Sequence, residues 1–374
     1  MTLPKIRFQV SKPVLAGRES EYVQDALASG WISSSGAYIG AFEARVASFL
    51  GAEEGIAVCN GTAALHLACM GLGLGPGDEV IVPDLTYVAS ANAVAYCGAR
   101  PVFADCDPKT WNLTRESVEA AWTSNTVGVI AVHLYGLAAP VDELADLCRT
   151  RGAWLIEDCA EALGASLRGR KVGTYGDAAA FSFYGNKIVS TGEGGMVLAR
   201  SAETRERIRR LRGQGADLAR RYWHPVIGYN YRMTNIAAAI GVAQMEMVDY
   251  HVSERVRIAH AYVEQFGDLA LAGELQLPFE GEDLQNVYWL FSVVVPHADR
   301  PFRDRLLVRL LEEFGVETRP FFEPMHRLPM YRSDDPVPNA EYVADRGVNL
   351  PTYSGLEQDH IEEIAEAFKE VLRG

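Results

Sequence analysis

Between residues 55 and 158, short apolar runs alternate with segments that have helical spacing. The runs are Gly55-Ile-Ala-Val-Cys59, Glu79-Val-Ile-Val-Pro83, Pro101-Val-Phe-Ala-Asp105, Val127-Gly-Val-Ile-Ala-Val-His133 and residues 153–158, which end in Trp154-Leu-Ile-Glu-Asp158. None alternates polar with apolar, as a strand would with one face in water. Strands covered on both faces belong to a sheet with helices packed above and below it. The spacing predicts helices over 61–70, 86–97, 114–121 and 140–150, and so an α/β domain with a mostly parallel sheet. Such sheets gather ligands at the carboxyl ends of their strands. At 374 residues the chain exceeds one ordinary core. We expect a large domain over 1–250 and a smaller α+β domain over 251–374.

Chemistry-bearing residues fall at those strand ends. Asp158 closes one apolar run, and Lys187 follows another within Asp177-Ala-Ala-Ala-Phe-Ser-Phe-Tyr-Gly-Asn-Lys187, ahead of the glycine cluster Thr191-Gly-Glu-Gly-Gly195. A lysine and a buried carboxylate at neighbouring strand ends suit pyridoxal phosphate (PLP), with Lys187 as the Schiff-base lysine and Asp158 facing the pyridine nitrogen. Asn60-Gly61-Thr62 is a strand-to-helix turn. Its helix start offers N–H groups and a hydroxyl to an anion, although an ordinary capped helix start has the same appearance. With Ser182 it would hold the phosphate. Tyr87, in Asp84-Leu-Thr-Tyr-Val-Ala-Ser90, would stack on the ring. His133 also lies at a strand end.

Other classes are disfavoured. The net charge of −14 opposes nonspecific nucleic-acid binding. No basic-then-apolar leader and no run long enough for a membrane span is visible, so a cytoplasmic protein is expected. The six cysteines lie scattered, without a Cys-x-x-Cys pair, as reduced thiols do, and no metal site is predicted. Gly71-Leu-Gly-Leu-Gly-Pro-Gly77 ends a helix, whereas a dinucleotide fingerprint opens one.

Elsewhere, residues 17–30 predict a helix ended by Gly30, and Trp31–Gly36 a polar loop. A second helix follows with Phe42, Val46 and Phe49 on one face. Residues 202–212 form an arginine-rich helix, read as a solvated or interface face. Residues 220–235 have neither helical nor strand period and suggest a functional loop at a subunit contact. Two helices span 233 to about 266. The remainder predicts a strand over Val287–Val295, helices over 300–314 and 357–372, and a segment Glu317–His326 that is either a substrate contact or a structural crossover.

The motifs Asn60-Gly-Thr-Ala-Ala-Leu65, Glu157-Asp-Cys-Ala-Glu-Ala162, Phe181-Ser-Phe-Tyr-Gly-Asn-Lys187, Thr191-Gly-Glu-Gly-Gly195 and Gly228-Tyr-Asn-Tyr-Arg-Met-Thr-Asn235 together resemble the DegT-type PLP-dependent nucleotide-sugar aminotransferases. The resemblance runs over nearly the whole chain. Within the family, His133-Leu-Tyr-Gly136, Arg220-Arg-Tyr-Trp-His-Pro225 and Arg319-Pro-Phe-Phe-Glu-Pro-Met-His326 look most like members that aminate C4 of GDP-4-keto-6-deoxy-D-mannose, with L-glutamate as donor. It implies the aspartate aminotransferase fold (PLP fold type I) and a homodimer with shared active sites. Asn230 would reach the partner's cofactor phosphate. Glu161 would lie near the cofactor, and His133, Tyr222, Arg232, Arg319 and His326 would contact substrate. The sequence departs from the pattern at Phe322-Glu323, which leaves the sugar and base open. Rival readings are a sibling enzyme for a UDP- or dTDP-linked keto sugar, a sugar 3-dehydratase and a non-catalytic PLP-binding sensor. The dehydratase carries histidine where this chain has Lys187.

Overall fold

The computed structural model describes residues 5–217 and 219–373. Helices α1 (Glu19–Ser29) and α2 (Ala37–Leu50) each end on a glycine in the left-handed conformation, Gly30 and Gly51. The α/β core follows as β1 (Ile56–Val58), α3 (Gly61–Gly71), β2 (Glu79–Pro83), α4 (Ala89–Tyr96), β3 (Arg100–Ala104), α5 (Arg115–Ala120), β4 (Thr126–Val132), α6 (Val141–Arg151) and β5 (Trp154–Asp158). A short hairpin, β6 (Ser166–Leu167) and β7 (Arg170–Lys171), precedes β8 (Ala178–Ser182) and β9 (Gly195–Ala199). The seven-stranded sheet has the order β1-β9-β8-β5-β4-β2-β3. β9 runs antiparallel to both its neighbours, and the other pairings are parallel. The expected α/β sheet is present.

The uninterrupted apolar runs are explained by the two cores they serve. Ile81, Val129 and Leu155 point into one, and Val80, Val82, Ile130 and Ile156 into the other. Each strand divides its side chains between opposite faces, so the central positions are apolar on both and polar residues fall at the strand ends.

Helices α7 (Ala202–Arg212), α8 (Asn235–Glu246) and the 24-residue α9 (Val248–Leu271) come next. The arginines of α7 are partly engaged rather than merely solvated. Arg205 is buried and pairs with Glu53 and Glu54, and Arg212 reaches Glu43 and the Ala57 carbonyl. Along α9, Val248 and Val252 pack on the main core, while Ile258, Tyr262 and Phe266 join a third core. That core is completed by β11 (Phe291–Val294), α10 (Arg300–Phe314), β13 (Gly347–Leu350) and α12 (Gln358–Arg373). β10 (Leu284–Gln285) pairs with β6, β12 (Arg319–Pro320) pairs with β13, and α11 (Pro338–Ala344) packs Ala340, Val343 and Ala344 on the main core. β13 lies between β11 and β12.

The strand expected over 287–295 is shorter, limited to Phe291–Val294. Tyr288 has φ +44, which no strand accommodates, and the Val287 N–H donates to the Gly136 carbonyl at 3.2 Å. Residues 287–290 therefore turn toward the main core, where Val287, Trp289 and Leu290 are buried. Gly136 permits this contact: its φ is +103, and a Cβ there would lie 2.8 Å from the backbone nitrogens of Tyr288 and Trp289. Gly136→Ala is expected to destabilise the protein by about 2 kcal/mol or more, read as a lower urea midpoint; an unchanged midpoint contradicts the contact.

Candidate active site

The carboxyl ends of β5 and β8 and the start of α3 converge. Asn60 caps α3, and its side chain accepts the Ala63 N–H at 2.8 Å. The N–H groups of Gly61 and Thr62, in the first turn, have no partner within the helix. A Cβ on Gly61 would fall 2.8 Å from Cβ of Ser182, so glycine is what lets helix and strand end approach. Beyond Ser182, Phe183 is fully buried with its ring edge against Phe42 at 4.9 Å. The chain then turns, with the Lys187 N–H donating to the Tyr184 carbonyl and the Thr191 N–H to the Phe183 carbonyl, both at 2.9 Å. An apolar anchor followed by a closed turn thus carries Lys187 inward, leaving its side chain 13% exposed.

Nζ of Lys187 lies 3.8 Å from Oε1 of Glu161 and 3.6 Å from the ring centroid of Trp289. Burial lowers the Lys187 pKa, against the pull of the Glu161 and Asp158 carboxylates. Asp158 is buried; Ser90 Oγ donates to Oδ2 at 2.7 Å and the Ala160 N–H to Oδ1 at 3.1 Å. Burial still raises its pKa, so the carboxylate is short of a cationic partner. Glu161 accepts the Tyr135 N–H at 2.8 Å, and burial, opposed by Lys187, pushes its carboxyl up to about 7.

The Glu161 shift has a consequence for stability. Between the ordinary glutamate value of 4.5 and about 7 the folded protein binds more protons than the unfolded chain. This contribution is fully present below the lower value and is lost as pH rises through the upper one. In the cofactor-free protein, Glu161→Gln should flatten the fall in stability over that window by an amount on the order of 3 kcal/mol, measured by denaturant melts across pH. An unchanged slope would contradict the assignment.

A cavity of about 500 Å³ opens over these groups, its lining including Thr62, Tyr87, Asp158, Lys187, Arg319 and Phe322. Gly61, Ser182 and Glu161 also border it. Eight sequence candidates thus meet in one place. Tyr87 is more than half exposed at the mouth, 5.7 Å from the Phe322 ring.

Five candidates lie outside it. His133 is a correction: it is fully buried, its Nδ1 accepts the Ala139 N–H at 3.0 Å, and its Nε2 faces Glu157 at 3.2 Å. Both ring nitrogens are engaged inside the protein, so no face is left for a substrate. Glu157 and Cys159 lie beside it in a grouping that superficially suits a metal. However, the carboxylate of Glu157 already accepts the N–H groups of Gly173, Tyr175 and Gly176, each at 2.7 Å, and the imidazole has no free lone pair. His326 is likewise absent from the lysine cavity. Its Nδ1 lies 2.8 Å from Asp84 and its Nε2 3.0 Å from Glu341, and it borders a second cavity of about 520 Å³ with Arg327 and Pro338. Tyr222, Asn230 and Arg232 are exposed and do not line the cavity of their own chain.

Trp289, Ser90 and Tyr135 complete the site and carried no role in the sequence reading. The dipeptide Tyr288-Trp289 within a β-branched run was the available signal.

The donor set fits PLP. The first turn of α3 and two hydroxyls suit a phosphate, the buried carboxylate lacks a cation, and a lysine of depressed pKa faces the same cavity. No described helix is long and apolar enough to cross a membrane. The chain is 44% identical over 368 residues to GDP-perosamine synthase of Caulobacter vibrioides, covering 98% of each chain. It superimposes on the aminotransferase TlmJ of Streptoalloteichus hindustanus with a TM-score of 0.92 at 33% identity, covering 98% of this chain and 99% of the other. A Streptococcus pneumoniae chain described as a sugar aminotransferase, solved in its PLP form, matches with a TM-score of 0.90 at 26% identity, covering 99% of this chain and 99% of that one. The DegT/DnrJ/EryC1/StrS aminotransferase family model matches residues 13–369. Such a match, across both the lysine-bearing sheet and the segments that close over it, means that the chain belongs to the DegT/DnrJ/EryC1/StrS aminotransferase family, with pyridoxal phosphate as its cofactor.

Proposed function

We infer that this enzyme transfers the amino group of L-glutamate to C4 of GDP-4-keto-6-deoxy-D-mannose, giving GDP-perosamine. The observation that carries the reading is the near full-length likeness to GDP-perosamine synthase, together with a lysine cavity of the kind transamination requires.

Bound pyridoxal phosphate supplies an electron-accepting ring and an aldehyde that takes up and releases the amino group. The chain's own residues do the rest. Burial lowers the pKa of Lys187, which favours the neutral amine that a nucleophile and base requires. It takes the proton from the α-carbon of glutamate and returns one to C4 of the sugar in the second half. Asp158 would keep a proton on the ring nitrogen of the bound cofactor. The N–H groups of Gly61 and Thr62 and the hydroxyls of Thr62 and Ser182 hold the phosphate. Tyr87 would cover the ring, Glu161 steadies the Lys187 amine, and Arg319, which lines the cavity, would meet an anionic part of the substrate. Tyr222, Asn230 and Arg232, exposed on their own chain, suit a homodimer in which each copy completes the other's site. His326 serves by bracing the wall between Asp84 and Glu341. The division at residue 250, supported by the separate C-terminal apolar core, and a cytoplasmic location belong to the same reading.

The donor half-reaction tests it. PLP-loaded protein mixed with glutamate and no acceptor should form 2-oxoglutarate stoichiometric with sites, then stop. Folded, loaded protein that forms none would exclude the reading and favour a non-catalytic sensor.

A further inference from the structure

Trp289 enters the active site from the C-terminal part of the chain on a backbone that is strained to deliver it. Tyr288, just before it, has φ +44, a conformation costly for an aromatic residue and one that the surroundings must offset. Four contacts do so. The Val287 N–H donates to the Gly136 carbonyl at 3.2 Å, the Tyr288 N–H to Asn286 Oδ1 at 2.8 Å, the Tyr288 hydroxyl to Glu280 at 2.9 Å, and the buried Arg255 to the Trp289 carbonyl at 2.6 Å. The indole then makes two contacts with the lysine turn. Its face lies 3.6 Å from Nζ of Lys187, and its Nε1–H donates at 2.8 Å to the carbonyl of Asn186, the residue before Lys187. Tyr135, itself at φ +53, lies nearly parallel to the indole with ring centroids 6.4 Å apart and gives its N–H to Glu161, the second neighbour of the amine.

We propose that Trp289 is a positioning residue for Lys187: its ring face seats the amine, and its N–H fixes the backbone from which the lysine side chain hangs. Leucine keeps an apolar side chain there but has neither an electron-rich face nor a donor, and phenylalanine keeps the face without the donor. The charged groups that also act on Lys187 are Glu161, Asp158, Arg255 and Arg319, with the two carboxylates favouring the charged amine and the two arginines opposing it. Trp289, at 3.6 Å, and Glu161, at 3.8 Å, are both close neighbours of Nζ and together seat the amine while it is free of the cofactor. This rests on Lys187 being the cofactor-bearing lysine.

The test separates covalent capture from pocket integrity. Cofactor-free parent, Trp289→Phe and Trp289→Leu proteins are mixed with pyridoxal phosphate, and capture by Lys187 is followed by absorbance. Affinity for pyridoxamine phosphate, which cannot bond the lysine, is measured alongside. Trp289→Leu should capture about tenfold more slowly, with pyridoxamine phosphate affinity within about threefold of the parent. Trp289→Phe, which keeps a ring face, should recover part of the rate. With glutamate, kcat should fall and KM remain near the parent value. Capture by Trp289→Leu at the parent rate, or a loss of pyridoxamine phosphate affinity equal to the loss of capture rate, would overturn the proposal. Lys187→Ala is the control: capture surviving in it would show that the lysine assignment itself had failed.

Discussion

Replacing Lys187 with alanine should lower turnover by at least about four orders of magnitude, because one side chain serves as both nucleophile and proton carrier. The protein should stay folded. Lys187 lies 3.8 Å from Glu161, so its loss removes one buried cation and leaves a carboxyl already inclined to hold a proton. The phosphate cradle of Gly61, Thr62 and Ser182 does not involve the lysine. Pyridoxamine phosphate should therefore still bind Lys187→Ala, measured by fluorescence titration or calorimetry. Turnover within tenfold of the parent would remove Lys187 from the mechanism whatever the fold.

The second large effect is at Asp158. Asparagine there keeps the shape and can still accept from Ser90, but it lacks the charge that holds a proton on the ring nitrogen. Activity should fall about 10²- to 10³-fold, the usual consequence of removing one preorganised charge from a water-poor site. Stability should move the other way. Burial raises the pKa of Asp158 in the cofactor-free protein, so the carboxylate is a poor occupant until a cation arrives. Cofactor-free Asp158→Asn should melt at or above the parent temperature and gain less than the parent on adding cofactor. A variant that is both fully active and less stable would make Asp158 a structural residue.

Much of this could be read from the chain. The apolar strands of the main sheet are local patterns, and each records that both faces are covered. Asp158 ends one such strand and Lys187 lies in the turn beyond another, so their place near strand ends needed no long-range information. His133 shows the limit: a position at a strand end does not say which way a ring points. Its direction depends on Glu157 in the neighbouring strand and on the Ala139 N–H beyond the turn. Trp289 was hidden in the same way. Its run has strand composition, and only the contacts with Gly136, Arg255 and Asn186, all distant in sequence, turn it into the active site. His326 was drawn toward substrate by resemblance, yet Asp84 and Glu341 hold both its nitrogens. Sequence period reports burial well, and it reports tertiary side-chain partners poorly.

The central claim is transamination of a GDP-linked keto sugar, and a matched turnover assay tests it most directly. Purified, PLP-loaded protein with glutamate is offered GDP-4-keto-6-deoxy-D-mannose and, in parallel, UDP- and dTDP-linked 4-keto sugars, with 2-oxoglutarate followed over time. Sustained turnover on the GDP substrate, with kcat/KM at least about a hundredfold above the others, is the predicted result. Equal or better turnover on a UDP- or dTDP-linked sugar would contradict it and make the chain a sibling aminotransferase.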